Sequence, residues 1–117
     1  VAIRIGSEKE ISEHIAELHQ SIRVLGTTQK GSVPHQHELG VDWLASLDLP
    51  FARAVPLLVA SVEDCLRRFE PRVTVRRVQA IPHETEVGRA VVRVTWVPKR
   101  FEAADEQTTE VPVDVAA

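Results

Sequence analysis

The sequence predicts an α+β fold, with N-terminal helices packed on one face of a small antiparallel sheet formed by the C-terminal half. Three observations carry this. Up to Phe69, apolar residues recur at spacings of three and four. From Arg72 onward β-branched residues alternate with polar ones. The switch falls at Phe69-Glu70-Pro71-Arg72. There Pro71 cannot continue helical hydrogen bonding and drives Glu70 out of the α region. The expected division of the 117 residues is a single domain, 1–117, helical over about 7–69 and stranded over about 72–115.

Val1–Gly6 alternates weakly, as a short strand or an ordered arm. Ser7-Glu8-Lys9-Glu10 reads as a capping box, with Ser at the cap and Glu three residues on. Ile11, Ile15, Leu18, Ile22 and Leu25 then share one face of a helix predicted over 7–23, and Glu13, His14, Glu17 and Gln20 cover the other. Gly26 to His37 is punctuated as a loop by Gly26, Gly31, Ser32 and Pro34. A short helix is expected from about Glu38 to Ser46, carrying Leu39, Trp43 and, just beyond it, Leu47, with Asp48 capping the next one. Pro56 is tolerable in a first turn, so the main helix is expected to start near Val55. Its stripe is Leu58, Val59, Val62, Leu66 and Phe69.

Arg72–Ile81 reads as a strand, Pro82-His83-Glu84-Thr85 as a connection, and Glu86–Val97 as the strongest strand, with Ala90, Val92, Val94 and Trp96 on one face. After a charged loop over Pro98–Gln107, Thr109, Val111, Val113 and Val115 alternate again. Pro112 marks that segment as an edge strand.

Composition narrows the function. A net charge of −3 gives no electrostatic case for nucleic acid, and few aromatics leave little to stack sugars or bases. No apolar run approaches the roughly 20 residues of a membrane span, and the N-terminus shows no basic region followed by an apolar stretch. The lone Cys65 permits no internal disulfide and fits a reducing compartment. Placed beside the apolar stripe, it reads as a half-buried structural thiol rather than a nucleophile.

His35-Gln36-His37, with His83 as a conceivable third ligand, lacks the spacing of a metal site, so polar loop histidines are the better reading. The glycines of Gly26–Gly31 follow a helix and lack a Gly-Lys-Ser/Thr ending, which argues against a phosphate loop. Glu63, Asp64, Glu70, Glu84 and Glu86 supply carboxylates, but none is singled out as acid or nucleophile. No catalytic, cofactor or metal residue is therefore assigned. Glu70 and Arg72, two residues apart on a stiff elbow, display an acid and a base on the same side if the chain runs extended. That suits docking better than chemistry.

Ser21-Ile22-Arg23-Val24-Leu25 leads into Gly31-Ser32-Val33-Pro34, then Gly40 with Leu44, Asp48 and Pro50, and a helix ending Phe69-Glu70-Pro71-Arg72-Val73. In this pattern the chain resembles baseplate assembly protein W, the baseplate wedge family of contractile phage tails. Its relatives serve type VI secretion and other contractile injection systems, and its members often carry a lysozyme-like label. The resemblance spans about residues 11–97, with Glu70-Pro71-Arg72 as its most specific piece. Gln29-Lys30, His35-Gln36-His37 and Leu39 depart from the family pattern, which touches loop contacts only.

The resemblance implies a structural, non-enzymatic subunit of the virion's inner baseplate. Such a subunit assembles in the bacterial cytoplasm, in several copies within a six-fold structure. Expected partners are other wedge proteins and the tail sheath subunit, with no nucleic acid and no membrane, and the role includes starting sheath assembly. Glu70, Pro71 and Arg72 are the expected contact with a neighbouring wedge subunit. The late edge strand Thr109–Val115, or the sheet edge near it, is expected to accept an extended arm of the sheath subunit, with backbone hydrogen bonds supplying the affinity and alternate valines, Val111 and Val113, the register. A free-standing regulatory adaptor of the same fold is the alternative, and a peptidoglycan-cleaving enzyme a weaker one.

Overall fold

The computed structural model describes residues 8–43, 49–82, 85, 89–100 and 105–114. Two helices, α1 (Glu8–Thr27) and α2 (Phe51–Phe69), precede three strands, β1 (Val73–Pro82), β2 (Arg89–Pro98) and β3 (Gln107–Asp114). The strands form one antiparallel sheet in the order β1-β2-β3. Helix α1 packs chiefly against β3, and α2 against β1. This is the predicted α+β arrangement.

The apolar stripes meet where the periodicity placed them. Leu18, Ile22 and Leu25 from α1, and Leu58, Val62 and Leu66 from α2, are buried against Ala90, Val92, Val94 and Trp96 of β2. Helix α2 also buries Ala54 and Cys65. The thiol is thus fully rather than half buried, and that burial pushes its pKa up.

Three boundaries differ from expectation. Helix α1 runs four residues past 23, through Gly26. A Cβ at Gly26 would sit 3.0 Å from a methyl of Val111, so glycine lets the last turn lie close to β3. The Thr27 hydroxyl donates to the Arg23 carbonyl at 2.9 Å, and that of Thr28 to Val24 at 2.6 Å, satisfying carbonyls the helix end would orphan. The expected helix from Glu38 does not form over 38–43. Gly40 takes φ +108°, and Val41 instead pairs in parallel with Gln29. The remainder of that segment, with Asp48, lies outside the described residues.

Helix α2 starts at Phe51, with Pro50 in the cap position and its carbonyl accepting from Arg53 and Ala54, both at 2.9 Å. Pro56 is therefore inside the helix, not in its first turn. The helix loses one bond, to the carbonyl of Ala52, an exposed residue where water can replace it. The capping Ser7, Val1–Gly6, His83, Glu84, Glu86 and Val115 also lie outside the described residues.

Gln29 orders the connection between the helices. Its amide oxygen accepts from the Trp43 N–H at 3.1 Å, and its Nε2 donates to Asp42 Oδ1 at 3.2 Å. Asp42 N–H in turn donates to Ser61 Oγ on α2 at 3.0 Å. Outside, Glu38 lies 3.2 Å from Lys30 Nζ and 3.3 Å from Arg68, an exposed cluster that holds its carboxyl below the usual range, chiefly through the Lys30 hydrogen bond.

Candidate functional site

The elbow between α2 and β1 is built by three constraints. Helix α2 makes its last bond from the Glu70 N–H to the Leu66 carbonyl at 2.9 Å. Glu70 then leaves the helical region at φ −132°, ψ 73°, as a residue before proline must. Pro71 and Arg72 form a turn rather than a fully extended step, and the Arg72 carbonyl accepts from the Lys99 N–H at 2.9 Å. The end of β2 thereby pins the turn.

Within this turn Glu70 and Arg72 do meet, but unequally. Glu70 is only 3% exposed, whereas the Arg72 side chain keeps 43% of its surface. Arg72 Nη2 donates to Glu70 Oε1 at 2.6 Å, and Nε donates to Oε1 at 3.1 Å and Oε2 at 3.4 Å. The carboxylate is the buried anchor, and the guanidinium is the group displayed. With both oxygens engaged, Glu70 has the geometry of an orienting group rather than of a proton donor or nucleophile.

A groove of about 440 Å³ opens beside this pair, between the last turns of α2 and strand β1. Pro71, Val73 and Val75 contribute its apolar surface, and Arg67, Arg76, Arg77 and Lys99 its cations. Two adjacent arginines of β1 border it because of a bulge. The register runs from Val75 opposite Trp96 directly to Arg77 opposite Thr95, leaving Arg76 as an extra residue. The core-facing set accordingly shifts from odd to even positions, Val73 and Val75 before the bulge, Val78 and Ala80 after it. An unbroken period of two would have turned Arg77 inward. That parity break is visible in the sequence, and it was the available signal for the two groove arginines.

Val111 and Val113 lie elsewhere. They sit on β3, the opposite edge from β1, so the structure does not bring them together with the elbow. Their side chains are 2% and 8% exposed and are used by the core. They cannot set the register of an incoming arm by side-chain contact, as the alternating valines suggested. What β3 offers is its outer backbone edge and the exposed residues Thr108, Glu110 and Pro112. Its pairing with β2 runs from Arg89 opposite Asp114 to Trp96 opposite Gln107 without a bulge.

A polar cluster beneath β3 was not anticipated from the sequence. The Trp96 indole N–H donates to Thr109 Oγ1 at 2.9 Å, and the Thr109 hydroxyl lies 2.6 Å from His19 Nδ1. The His19 and Trp96 rings meet edge to face, 5.1 Å apart. Thr109 is fully buried, so this bond set ties α1, β2 and β3 together where an unpaired group would be costly. Burial lowers the pKa of His19, partly offset by a hydrogen bond to Gln107 and reinforced by Arg23. The ring is therefore neutral near pH 7, with Nδ1 sharing a hydrogen bond with the Thr109 hydroxyl. His35 and His37 are exposed loop residues. Among the described residues no group of three His, Cys, Asp or Glu is placed to hold a metal ion, and no helix is long and apolar enough to cross a membrane.

Comparisons with known proteins agree with the fold. A crystal structure at 1.44 Å of a Geobacter sulfurreducens protein, provisionally described there as a tail lysozyme, aligns with a TM-score of 0.74. It shares 19% identity over 97% of this chain and 96% of that one. A chain of the baseplate complex from the type VI secretion system aligns with a TM-score of 0.69 and 16% identity, over 93% of this chain and 99% of that one. No curated protein matches in sequence. The family model of baseplate wedge protein gp25 matches residues 12–97, which include most of α1, all of α2, the elbow, β1 and nearly all of β2. The chain belongs to the baseplate wedge protein gp25 family.

Proposed function

We propose that this protein is a structural subunit of the inner baseplate of a contractile tail, or of a related injection machine, and that its elbow seats a neighbouring wedge subunit. The family match over residues 12–97 carries the baseplate role. The buried Glu70 that aims a half-exposed Arg72 supports the elbow as the contact. A guanidinium already held by a carboxylate loses little side-chain entropy on docking, which favours a specific, well-oriented contact. Pro71 is exposed beside it and stiffens the same surface.

The same reading assigns the β3 edge to an extended arm of the sheath subunit, and with it the start of sheath assembly. Two features support β3 over β1: its ladder is regular, and β1 carries a bulge, a device that twists an edge away from further pairing. Pro112 offers no N–H, so an arm would bond on either side of it. The subunit acts in several copies within a six-fold assembly in the tail, put together in the host cytoplasm. Its role is contact rather than turnover, as the engaged Glu70 carboxylate supports.

The test is Arg72→Glu. The variant is expected to melt as a folded protein yet to be missing from purified baseplates. Normal incorporation of a folded Arg72→Glu protein would remove the elbow contact. A turnover assay on peptidoglycan tests the non-enzymatic reading, and robust cleavage would overturn it.

A further inference from the structure

We propose that the groove beside the elbow takes an acidic segment of a neighbouring subunit, a proposal that rests on the wedge reading and adds the chemistry of the partner. Four cations from three parts of the fold converge there: Arg67 from the last turn of α2, Arg76 and Arg77 from β1, and Lys99 from the turn after β2. The carboxylates in the lining are Glu63 and Glu70, and the second is engaged by Arg72. The groove is thus locally basic on a chain whose net charge is −3. A surface whose sign opposes that of the whole molecule selects a partner by complementarity and steers its approach.

The fold maintains this charge at a structural cost. The bulge at Arg76 interrupts the β1–β2 ladder, and its effect is to keep two adjacent arginines out of the core, at the border of the groove, while returning Val78 and Ala80 to the core. Bulges re-aim side chains in this way at functional edges. The cations are also available. Arg67, Arg77 and Lys99 make no ion pair with another described residue. Arg76 meets Glu106 only at 4.0 Å, between two exposed side chains, a contact readily exchanged for another carboxylate.

The lining favours a polypeptide over nucleic acid. Pro71 and the partly buried Val75 give it an apolar part suited to side-chain contacts, no aromatic side chain is present to stack a base, and Glu63 would repel a phosphate backbone. The occupant is a segment with two or more Asp or Glu residues interspersed with apolar ones.

A photo-crosslinking residue placed at Arg77 of the full chain, within the wedge reconstituted from the same tail gene cluster, identifies the occupant. The same residue at Val24, exposed on α1, serves as control. The expected product joins position 77, and not 24, to an acidic segment of a neighbouring wedge subunit. A labelled peptide of that segment should lose about tenfold or more in affinity for Arg76→Glu/Arg77→Glu. The peptide with its carboxylates replaced by lysines should recover binding to that variant. A cross-link to an apolar or basic segment, a cross-link to DNA, no cross-link, or unchanged affinity of a folded double variant would each overturn the proposal. Wedge assembly that fails with Arg72→Glu but proceeds with Arg76→Glu/Arg77→Glu would leave the wedge reading standing and the acidic occupant rejected.

Discussion

The buried carboxylate of Glu70 holds the half-exposed guanidinium of Arg72 through three contacts, the shortest 2.6 Å. The pair is therefore internal support and external display at once, and its two members should respond differently to substitution. Arg72→Ala strands a buried carboxylate, whereas Glu70→Ala leaves a guanidinium that can turn to water. Arg72→Ala is expected to cost about 3 kcal/mol and Glu70→Ala about 1 kcal/mol. The double change should cost less than the sum, because the stranded charge goes with its partner. Urea denaturation of the four proteins in the cycle checks this, and strict additivity would show that the pair is not coupled. Arg72→Lys should recover little, since a single ammonium cannot reproduce contacts from both Nε and Nη2.

His19 gives the fold a pH dependence of defined sign. Burial lowers its pKa below the ordinary imidazole value of 6.5, so the unfolded chain takes up a proton before the folded one does. Its contribution to stability is complete above about pH 6.5 and is lost as pH falls from there through the lower folded-state value. Denaturation midpoints measured between about pH 7.5 and pH 5 should fall more steeply for the natural protein than for His19→Gln. Equal slopes would show that His19 is not the group responsible. Thr109→Val, which keeps the shape but leaves the Trp96 N–H unpaired, should cost about 1–3 kcal/mol at every pH.

The helices and strands were legible in the sequence because each has one buried face, and a half-buried element writes its period into its apolar residues. The polar partnerships were not. His19, Thr109 and Trp96 are separated by up to 90 residues in sequence, and nothing in a local pattern marks a histidine whose partner lies on another element. Glu70 and Arg72 were found because proline confines the chain between them, but their unequal burial depends on how α2 lies on β1. The groove arginines fall between these cases. Their positions follow from the shift between Val75 and Val78, a local signal, while Arg67 and Lys99 join them only through the fold.

Gly31 and Gly40 both take positive φ, at +89° and +108°, yet their surroundings separate them. A Cβ at Gly31 would meet nothing within 4 Å, whereas one at Gly40 would lie 2.4 Å from the carbonyl oxygen of Thr28. Gly31→Ala should therefore cost only the backbone term, about 1–2 kcal/mol. Gly40→Ala adds a clash with main chain that accepts the Val41 N–H at 2.8 Å, so it must also open the bridge to Gln29. The expected result is a clearly larger loss of thermal stability for Gly40→Ala, with faster amide exchange at Val41. Equal losses would mean that the connection tolerates the shift.

Pro56 is the place where local propensity and tertiary structure disagree most directly. It lies in the second turn of α2, is exposed, and leaves the helix without the bond that its N–H would have made to Ala52. The flanking burial of Ala54 and Leu58 keeps the segment helical despite that loss, since both are fully buried against the core. Replacing Pro56 with alanine restores the bond and removes the ring's crowding of the preceding turn, a defect worth about 3 kcal/mol in a helix interior. Two effects reduce the gain. The site is only one turn from the helix start, and alanine gives the unfolded chain more freedom. Pro56→Ala is accordingly expected to stabilise by about 1 kcal/mol, read as a higher denaturation midpoint with an unchanged slope. A destabilised Pro56→Ala protein would instead mean that the fixed φ of proline sets the entry of α2 onto the sheet.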